Sequence, residues 1–202
     1  MSEKGDLEKI KKIFSYVDQE NISMEEMGVQ KNVYKRKNPT LVDFISKRNL
    51  TRKTPLIMAA FYGHHQICEY LLTKRKANLE ARDDNLSTAL IAAASSNKIE
   101  VIKILLHHNA NVMATDKFGR HAAYWAAMHG NLDALKMLLE NEGDVINLKD
   151  DYRQTPLIVA SRCGHVEICK YLVEEKNAHV YAALQYKTDP EIRKVLRSKC
   201  AE

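Results

Sequence analysis

The sequence predicts an all-α repeat solenoid, in which helix–turn–helix units stack in a row and β-hairpin loops project from them. The first observation behind this prediction is a segment that begins at Thr54. It recurs in altered form at Thr88, His121 and Thr155, at spacings of 34, 33 and 34 residues. The four copies read TPLIMAAFYGHHQICEYLL, TALIAAASSNKIEVIKILL, HAAYWAAMHGNLDALKMLL and TPLIVASRCGHVEICKYLV. Self-similarity at a fixed period indicates one supersecondary unit stacked on copies of itself.

The second observation is the helical spacing inside each unit, which is clearest in residues 88–116. Thr88 is a predicted N-cap, because its hydroxyl can accept a hydrogen bond from an unpaired helix amide. A short helix rich in leucine and alanine follows. A second helix carries an apolar stripe formed by Ile99, Val101, Ile102, Leu105 and Leu106. Asn97 and Asn109 stand at the two helix ends, where a left-handed residue is needed and asparagine is tolerated. Residues 111–120 are then the predicted projecting hairpin.

The ends of such an array must cover apolar faces that inner repeats hide with their neighbours. We therefore predict three parts: an N-terminal cap with a degenerate repeat over 1–50, four repeats over 51–180, and a C-terminal capping helix with a tail over 181–202. Asp189-Pro190 predicts the start of the capping helix. The apolar stripe of that helix is formed by Ile192, Val195 and Leu196.

Composition is compatible with one domain or one short array, since 202 residues with 45% apolar content can supply a substantial core. No apolar run approaches a membrane span, and the N-terminal residues have neither an apolar signal region nor a cleavage site. The four cysteines form no CxxC pair. Cys68 and Cys169 occupy the same place in their repeats, which predicts small core residues in a reducing compartment. The cytoplasm, and also the nucleus, is the expected location.

Several residues occur where the ankyrin repeat family has the same residues in its pattern. They are Thr54-Pro55-Leu56, Gly63-His64, Leu71-Leu72, Thr155-Pro156-Leu157 and Gly164-His165. The sequence thus resembles that family, strongly over residues 50–180 and weakly outside them. The resemblance implies an ankyrin-like fold and a binding surface, without naming what is bound. At one position of the pattern, the usual histidine after Thr-Pro-Leu is replaced by Ile57, Ile91, Tyr124 and Ile158. Apolar packing is expected there in place of a hydrogen-bond network.

No motif of known chemistry is present, so we expect no catalytic residue, no cofactor and no enzyme activity. Eight histidines occur without an HExxH or a zinc-type spacing of Cys and His, and we predict no metal site. His64 and His165 belong to the Gly-His signature, where a local structural role is expected. Asp83-Asp84 and Asp150-Asp151 fall in matching hairpin positions. That periodicity predicts turn residues that bond the local backbone, not an acid/base pair.

The main electrostatic feature is a basic cluster in the N-terminal part. It consists of Lys31, Lys35-Arg36-Lys37, Lys47, Arg48, Arg52 and Lys53. Binding of a phosphate group or nuclear import is one interpretation. The favoured interpretation is a solvated polar face on an end repeat. Acidic residues are interspersed at Glu25, Glu26 and Asp43, which argues against nucleic acid as a partner.

The resemblance implies a concave groove, lined by the hairpin tips and by the exposed side of each first helix. Carried over position by position, the expected protein-binding residues on the helices are Phe61, Tyr62, Ser95, Ser96, Trp125, Met128, His129 and Arg162. Those on the hairpins are Asp84, Asn85, Lys117, Phe118, Arg120, Asp151 and Tyr152. Aromatic residues and arginine are typical anchors of protein interfaces. The alternatives left open are that Phe118 and Tyr152 fold onto a neighbouring hairpin, and that Trp125 serves packing between repeats.

The favoured function is a non-catalytic interaction module or adaptor, monomeric on its own, that binds another protein through this groove. A first alternative is a targeting subunit or substrate receptor for an enzyme on another chain. It needs a second docking site, for which residues 15–50 and the tail 187–202 are the candidates. A second alternative is binding of an anionic ligand through the basic N-terminal region.

Overall fold

The structure, a computed structural model, describes Glu8 and residues 53–140, 145–186 and 188–200. The predicted N-terminal cap and nearly all of the basic cluster lie outside these residues. The described helices are α1 (Pro55–Tyr62), α2 (His65–Thr73), α3 (Ala89–Ser95), α4 (Ile99–His107), α5 (Ala122–Met128), α6 (Leu132–Glu140), α7 (Pro156–Cys163), α8 (Val166–Lys170), α9 (Tyr181–Leu184) and α10 (Pro190–Ser198). A 3₁₀ turn occupies Val145–Asn147, and a π-helical turn over Tyr171–Glu175 continues α8.

The helices stack in two layers, as the repeat period predicts. The first helices of the repeats contact one another in order, α1 with α3, α3 with α5, α5 with α7 and α7 with α9. The second helices form the other layer, with α2 on α4 and α4 on α6. At the end, α10 packs on α8. The predicted all-α solenoid is confirmed.

Each repeat begins with a side-chain cap on its first helix. Three of the repeats use a threonine hydroxyl that accepts the amide three residues later, namely Thr54, Thr88 and Thr155. The repeat between them uses a ring nitrogen instead, because Nδ1 of His121 accepts from the Tyr124 amide at 3.3 Å. The predicted cap at Thr88 is therefore confirmed. The predicted left-handed residues are confirmed as well, with φ of 53° at Asn97 and 62° at Asn109.

The core is built from the first helices and the inward stripe of the second helices. The positions where the family pattern has histidine are buried, as expected for apolar packing: Ile57, Ile91, Tyr124 and Ile158. Cys68 and Cys169 are also fully buried, which confirms them as core residues. Burial raises the pKa of the Cys169 thiol to about 12, so this side chain stays protonated.

Side chains at the start of the second helices bind the preceding repeat. The Asn131 amide nitrogen donates to the Ala94 carbonyl at 2.9 Å. In the next repeat, His165 Nε2 bonds to the Met128 carbonyl at 3.0 Å. Both carbonyls lie near the end of a first helix, where the last backbone acceptors lack helical partners. His165 thus has a structural role, as predicted, but its bond joins two repeats and is not local.

Helix α10 packs at the C-terminal end of the described residues. The Asp189 carboxylate accepts from the Glu191 amide at 2.8 Å, and Pro190 opens helix α10. The side chains of Ile192, Val195 and Leu196 are buried against the last repeat. Lys170 joins this helix to the array through a contact of 3.0 Å with Glu191.

The first prediction concerns the position of a leucine in the array. Leu105 in α4 and Leu196 in α10 are both fully buried, with 0% exposure. Leu105→Ala should cost on the order of 2–5 kcal/mol, because the cavity lies in a repeat with neighbours on both sides. Leu196→Ala should cost less, because the terminal helix can open locally. Urea titrations of both variants would measure the difference, and equal losses would contradict the array behaviour.

The buried ring of His121 makes folding sensitive to pH. Burial lowers its pKa from the usual 6.5 to about 4, although the Leu148 carbonyl and the carboxylates of Asp116 and Asp150 oppose that change. The cap also requires an unprotonated Nδ1, since this atom accepts the Tyr124 amide. Between about pH 6.5 and pH 4 the unfolded chain binds a proton that the folded chain excludes. Stability is therefore present above this window and is lost as the pH falls through it.

The second prediction uses the residue found at the other three repeat starts. His121→Thr keeps a capping oxygen and removes the titrating ring. From pH 7.5 to pH 5, the unmodified chain should lose about 2 kcal/mol more stability than the variant. Any effect of side-chain size is the same at both pH values and cancels in this comparison. Identical pH profiles in chemical denaturation would show that His121 is not the group responsible.

Candidate protein-binding groove

Three loops, here called fingers, project between the repeats: finger 1 (residues 81–88), finger 2 (114–121) and finger 3 (148–155). Each finger is built around one buried aspartate, which is Asp83, Asp116 and Asp150 respectively, with 5–6% exposure. Oδ1 of each aspartate accepts two amides of its own finger at 2.8–3.0 Å. The prediction that Asp83 and Asp150 bond the local backbone is confirmed.

The fingers are also bonded to one another through their backbones. The Lys117 amide donates to the Asn85 carbonyl at 2.8 Å, and the Asp151 amide donates to the Phe118 carbonyl at 3.0 Å. Gly119 has φ of +73°, and a Cβ there would lie 3.1 Å from the Asp151 amide nitrogen. A side chain at position 119 would therefore strain the backbone and crowd the junction between fingers 2 and 3.

Two cavities lie between the fingers and the first helices, and together they form the groove. The first compartment has a volume of about 340 Å³ between fingers 1 and 2, next to α1, α3 and α5. The second compartment, of about 420 Å³, lies between fingers 2 and 3, next to α5 and α7. No residue of the second-helix layer lines either compartment. The fingers, which their aspartates fix in place, thus form one wall of each compartment, and the first helices form the other.

A single arginine is the centre of the second compartment. Arg120 Nε lies 3.5 Å from Oδ2 of Asp150, whose side chain is 1% exposed. Four aromatic rings surround the guanidinium carbon, at centroid distances of 4.9 Å for Phe118, 5.4 Å for Tyr124, 5.6 Å for Trp125 and 6.0 Å for Tyr152. These distances are in the range of cation–π attraction. Arg120 belongs to finger 2 and Asp150 to finger 3, so the contact crosses from one repeat to the next.

Comparison with known proteins bears out the repeat pattern. A family model described as ankyrin repeats (3 copies) matches residues 29–116 and 109–183. The chain belongs to the ankyrin repeat family. Ankyrin repeats are general protein–protein interaction modules, and an ankyrin domain is typically non-catalytic.

The relatives of this ankyrin chain are much longer proteins, and each matches the chain over only part of its length. Neurogenic locus notch homolog protein 1 of Xenopus tropicalis is 32% identical over 108 residues, covering 54% of this chain and 4% of that protein. The probable E3 ubiquitin-protein ligase XBOS32 of Oryza sativa subsp. japonica is 31% identical over 153 residues, covering 61% and 31%. Protein fem-1 homolog A-like of Mus musculus is 31% identical over 109 residues, covering 54% and 16%. The chain spans less than a third of each relative's length.

Most of the predicted binding residues line the two ankyrin compartments. Those of the first compartment are Phe61, Asn85, Ser95, Lys117, Phe118, Trp125 and His129. Those of the second are Arg120, Met128, Tyr152 and Arg162. The remaining four, which line neither compartment, are Tyr62, Asp84, Ser96 and Asp151. Of these four, Tyr62 is an aromatic with 49% exposure, and its ring lies against Phe61 at 5.3 Å.

The two finger aromatics differ in exposure. Tyr152 is 62% exposed, whereas Phe118 is partly buried, with the ammonium group of Lys117 5.1 Å from its ring. Phe118 is therefore less exposed than Tyr152, although the two residues occupy equivalent positions. The physical reason is Arg120, because its guanidinium attracts the Phe118 ring toward the base of the finger.

Trp125 lines the first compartment and also supports finger 2. Its indole Nε1 donates to Oδ2 of Asp116 at 3.0 Å, so it satisfies the aspartate of finger 2. Its ring stacks on His129 with centroids 5.6 Å apart and an interplanar angle of 15°. Both rings line the first compartment. Packing and groove formation thus use the same side chain.

Sequence reasoning missed several residues of the first compartment, among them the charged residues Lys53 and Asp83. Lys53 was assigned to the basic cluster, although it precedes Thr54 as Arg120 precedes His121. Asp83 was interpreted as a turn residue alone. Comparison of equivalent positions across repeats was the signal that could have found both residues.

The described residues contain neither a metal-binding cluster nor a membrane-spanning helix. Within 53–140, 145–186 and 188–200, no group of three or more His, Cys, Asp or Glu side chains is arranged to hold a metal ion. None of the helices in the same ranges has both the length and the apolar character of a membrane-spanning segment.

The third prediction tests the arginine cluster. Arg120→Met leaves Oδ2 of Asp150 without its donor in a buried position, and should cost about 1–3 kcal/mol of folding stability. Arg162→Met is the matched control. Its guanidinium bonds Gln154 at 2.6 Å in an exposed position, so the change should stay within about 0.5 kcal/mol. Thermal and urea unfolding would compare the two. An Arg120→Met variant as stable as the control would mean that the cluster does not hold fingers 2 and 3 together.

Proposed function

We propose that this ankyrin array binds another protein through the groove between fingers 1–3 and the first helices, without a catalytic role of its own. The observation that carries the proposal is a row of aromatic side chains that remain exposed beside two fixed cavities. Phe61 is 40% exposed, Tyr62 is 49% exposed and Tyr152 is 62% exposed. Large apolar groups in contact with water at the rim of a cavity are favourable anchors for a partner.

The rigidity of the fingers supports the same proposal. The amides of each finger are fixed by a buried aspartate, and the fingers are joined by backbone hydrogen bonds. A partner therefore meets a surface that needs little ordering, which reduces the entropy cost of association. Arg120, held between aromatic rings, adds a partly exposed guanidinium at the centre of this surface.

A second candidate role is that of a targeting subunit or substrate receptor. The observation that supports this role is the similarity to a rice protein named as a probable E3 ubiquitin-protein ligase. It requires a second docking surface, and the candidate segment 15–50 lies outside the described residues. Co-purification of a ubiquitin-transferring enzyme that persists when the groove is altered would support this role.

We also propose a reducing compartment, the cytosol or the nucleus, as the location. Within the described residues the four cysteines form no disulfide, and Cys68 and Cys169 are buried in separate repeats. An oxidising compartment would leave the exposed thiols of Cys163 and Cys200 open to disulfide exchange. Fractionation of cells with an antibody to the chain tests this assignment.

The fourth prediction tests the groove. The double variant Tyr62→Ala/Tyr152→Ala removes two exposed rings and leaves the Arg120 cluster with three of its aromatic neighbours. Capture of partner proteins, quantified by mass spectrometry, should fall at least about tenfold, because interface aromatics contribute strongly. Phe118 is left unchanged, since its partly buried ring also supports finger 2.

The matched control is Glu100→Ala/Lys103→Ala on helix α4. These two side chains form an exposed pair at 2.7 Å in the second-helix layer, away from both compartments. Both double variants should unfold within about 0.5 kcal/mol of the unmodified chain. If the α4 variant loses the captured proteins and the tyrosine variant keeps them, the binding surface is on the second-helix layer.

A further inference from the structure

The three finger aspartates differ in the contacts of their second oxygen. Oδ2 of Asp150 faces Arg120 Nε at 3.5 Å, and Oδ2 of Asp116 accepts from the Trp125 indole at 3.0 Å. The hydrogen bonds of Asp83 are those that Oδ1 accepts from Asn85 and Ser87. Within the described part of the chain, Oδ2 of Asp83 therefore has no hydrogen-bond partner.

Comparison of equivalent positions explains this difference. The residue equivalent to Trp125 in the repeat of finger 1 is Ala92, which has no donor. The residue equivalent to Arg120 on the preceding side is Lys53, and its ammonium group lies 5.3 Å from the Phe61 ring. Asp83 therefore lacks both kinds of donor contact seen at the other two aspartates, the indole at Asp116 and the guanidinium at Asp150.

The carboxylate of Asp83 is thus a nearly buried acceptor that lines the first compartment. The residue is 6% exposed, and the compartment that it lines has a volume of about 340 Å³. A carboxylate oxygen that faces such a compartment without a protein donor lacks the stabilisation that a charge-assisted hydrogen bond supplies. A ligand that brings a donor into this compartment recovers that stabilisation.

We propose that the first compartment receives an arginine side chain of the partner protein. The guanidinium donates to Oδ2 of Asp83 inside the compartment, which Phe61, Phe118 and Trp125 also line. This inference rests on the proposed function and specifies the partner's chemistry. The chain itself supplies the precedent, since Arg120 is held by Asp150 and by the rings of Tyr124 and Tyr152 in the second compartment.

The charges around the compartment favour arginine over lysine. Asp83 and Asp116 line it together with Lys53 and Lys117, whose ammonium groups lie 5.3 Å and 5.1 Å from the Phe61 and Phe118 rings. A lysine of the partner would bring a third ammonium group, which would have to lose its strong hydration beside these two. Guanidinium is more weakly hydrated, stacks on aromatic faces and keeps donors in its plane for the carboxylate.

The fifth prediction uses random peptides displayed against the full chain, since the natural partner is not identified. Peptides bound by the unmodified chain should be enriched in arginine. A selected peptide and its citrulline analogue, which keeps the shape and removes the charge, are then titrated by fluorescence anisotropy. The protein variant is Asp83→Asn, because asparagine retains an oxygen for the Asn85 and Ser87 amides and presents an NH₂ group to the compartment.

Asp83→Asn should weaken binding of the arginine peptide roughly ten- to hundredfold, because a charge-assisted bond becomes a clash of donors. It should change binding of the citrulline analogue by less than about threefold. Asp84→Asn is the matched control, since it removes the same charge from the same finger outside the compartment. Its effect on the arginine peptide should also stay below about threefold.

Other outcomes overturn the inference, and they separate it from the proposed function. Peptides that lose binding in Tyr62→Ala/Tyr152→Ala but are indifferent to Asp83→Asn would overturn the arginine site and keep the groove. Peptides indifferent to both variants would overturn the groove as well. If Asp83→Asn and Lys53→Met both lower the melting temperature equally, and neither weakens the peptide, Lys53 is the donor in solution and the compartment is closed to a partner.

Discussion

A buried aspartate at the base of each finger, with one oxygen shared by two backbone amides, is the interaction from which the groove is built. The two bonds fix the turn, so that the amide of one finger donates to a carbonyl of the preceding finger. The aligned fingers then form walls against the first helices. Loss of the acceptor would leave two finger amides unpaired, each costing on the order of 1–3 kcal/mol. The second carboxylate oxygen is not needed for the turn. It can therefore bind a side chain at the groove, as Asp116 binds Trp125 and Asp150 binds Arg120.

The helical array could be predicted from the sequence because its determinants are local and repeated. Thr88 caps the helix that it precedes, Asn97 adopts the left-handed conformation at a helix end, and Leu105 belongs to a stripe with helical spacing. Each of these properties depends on residues within one turn of helix. His121 is different, because a repeat start that favours threonine holds an imidazole. Its low pKa depends on burial by the neighbouring repeat, which no local pattern encodes.

The groove could be predicted in position but not in chemistry. Eleven of the fifteen residues named from the repeat pattern line a compartment, because position in the repeat determines which side of the array a residue occupies. The states of Phe118 and Trp125 depend on side-chain contacts with Arg120 and Asp116, and such contacts follow from packing. For the same reason, the sequence could not predict that Oδ2 of Asp83 lacks a hydrogen-bond donor. A missing donor becomes visible only when three equivalent sites are compared in three dimensions.

The bond from Arg120 to Asp150 joins two consecutive repeats across the groove, and it has a consequence for how such arrays change. The unit of recognition is offset from the unit of folding, because one compartment takes its cation from one copy and its carboxylate from the following copy. Grafting a single repeat onto another array would transfer half of two compartments and no complete one. A tandem duplication would create, at the new junction, a compartment with a composition absent from the original protein. In this architecture, new binding specificities can arise by recombination of existing repeats before any residue is substituted.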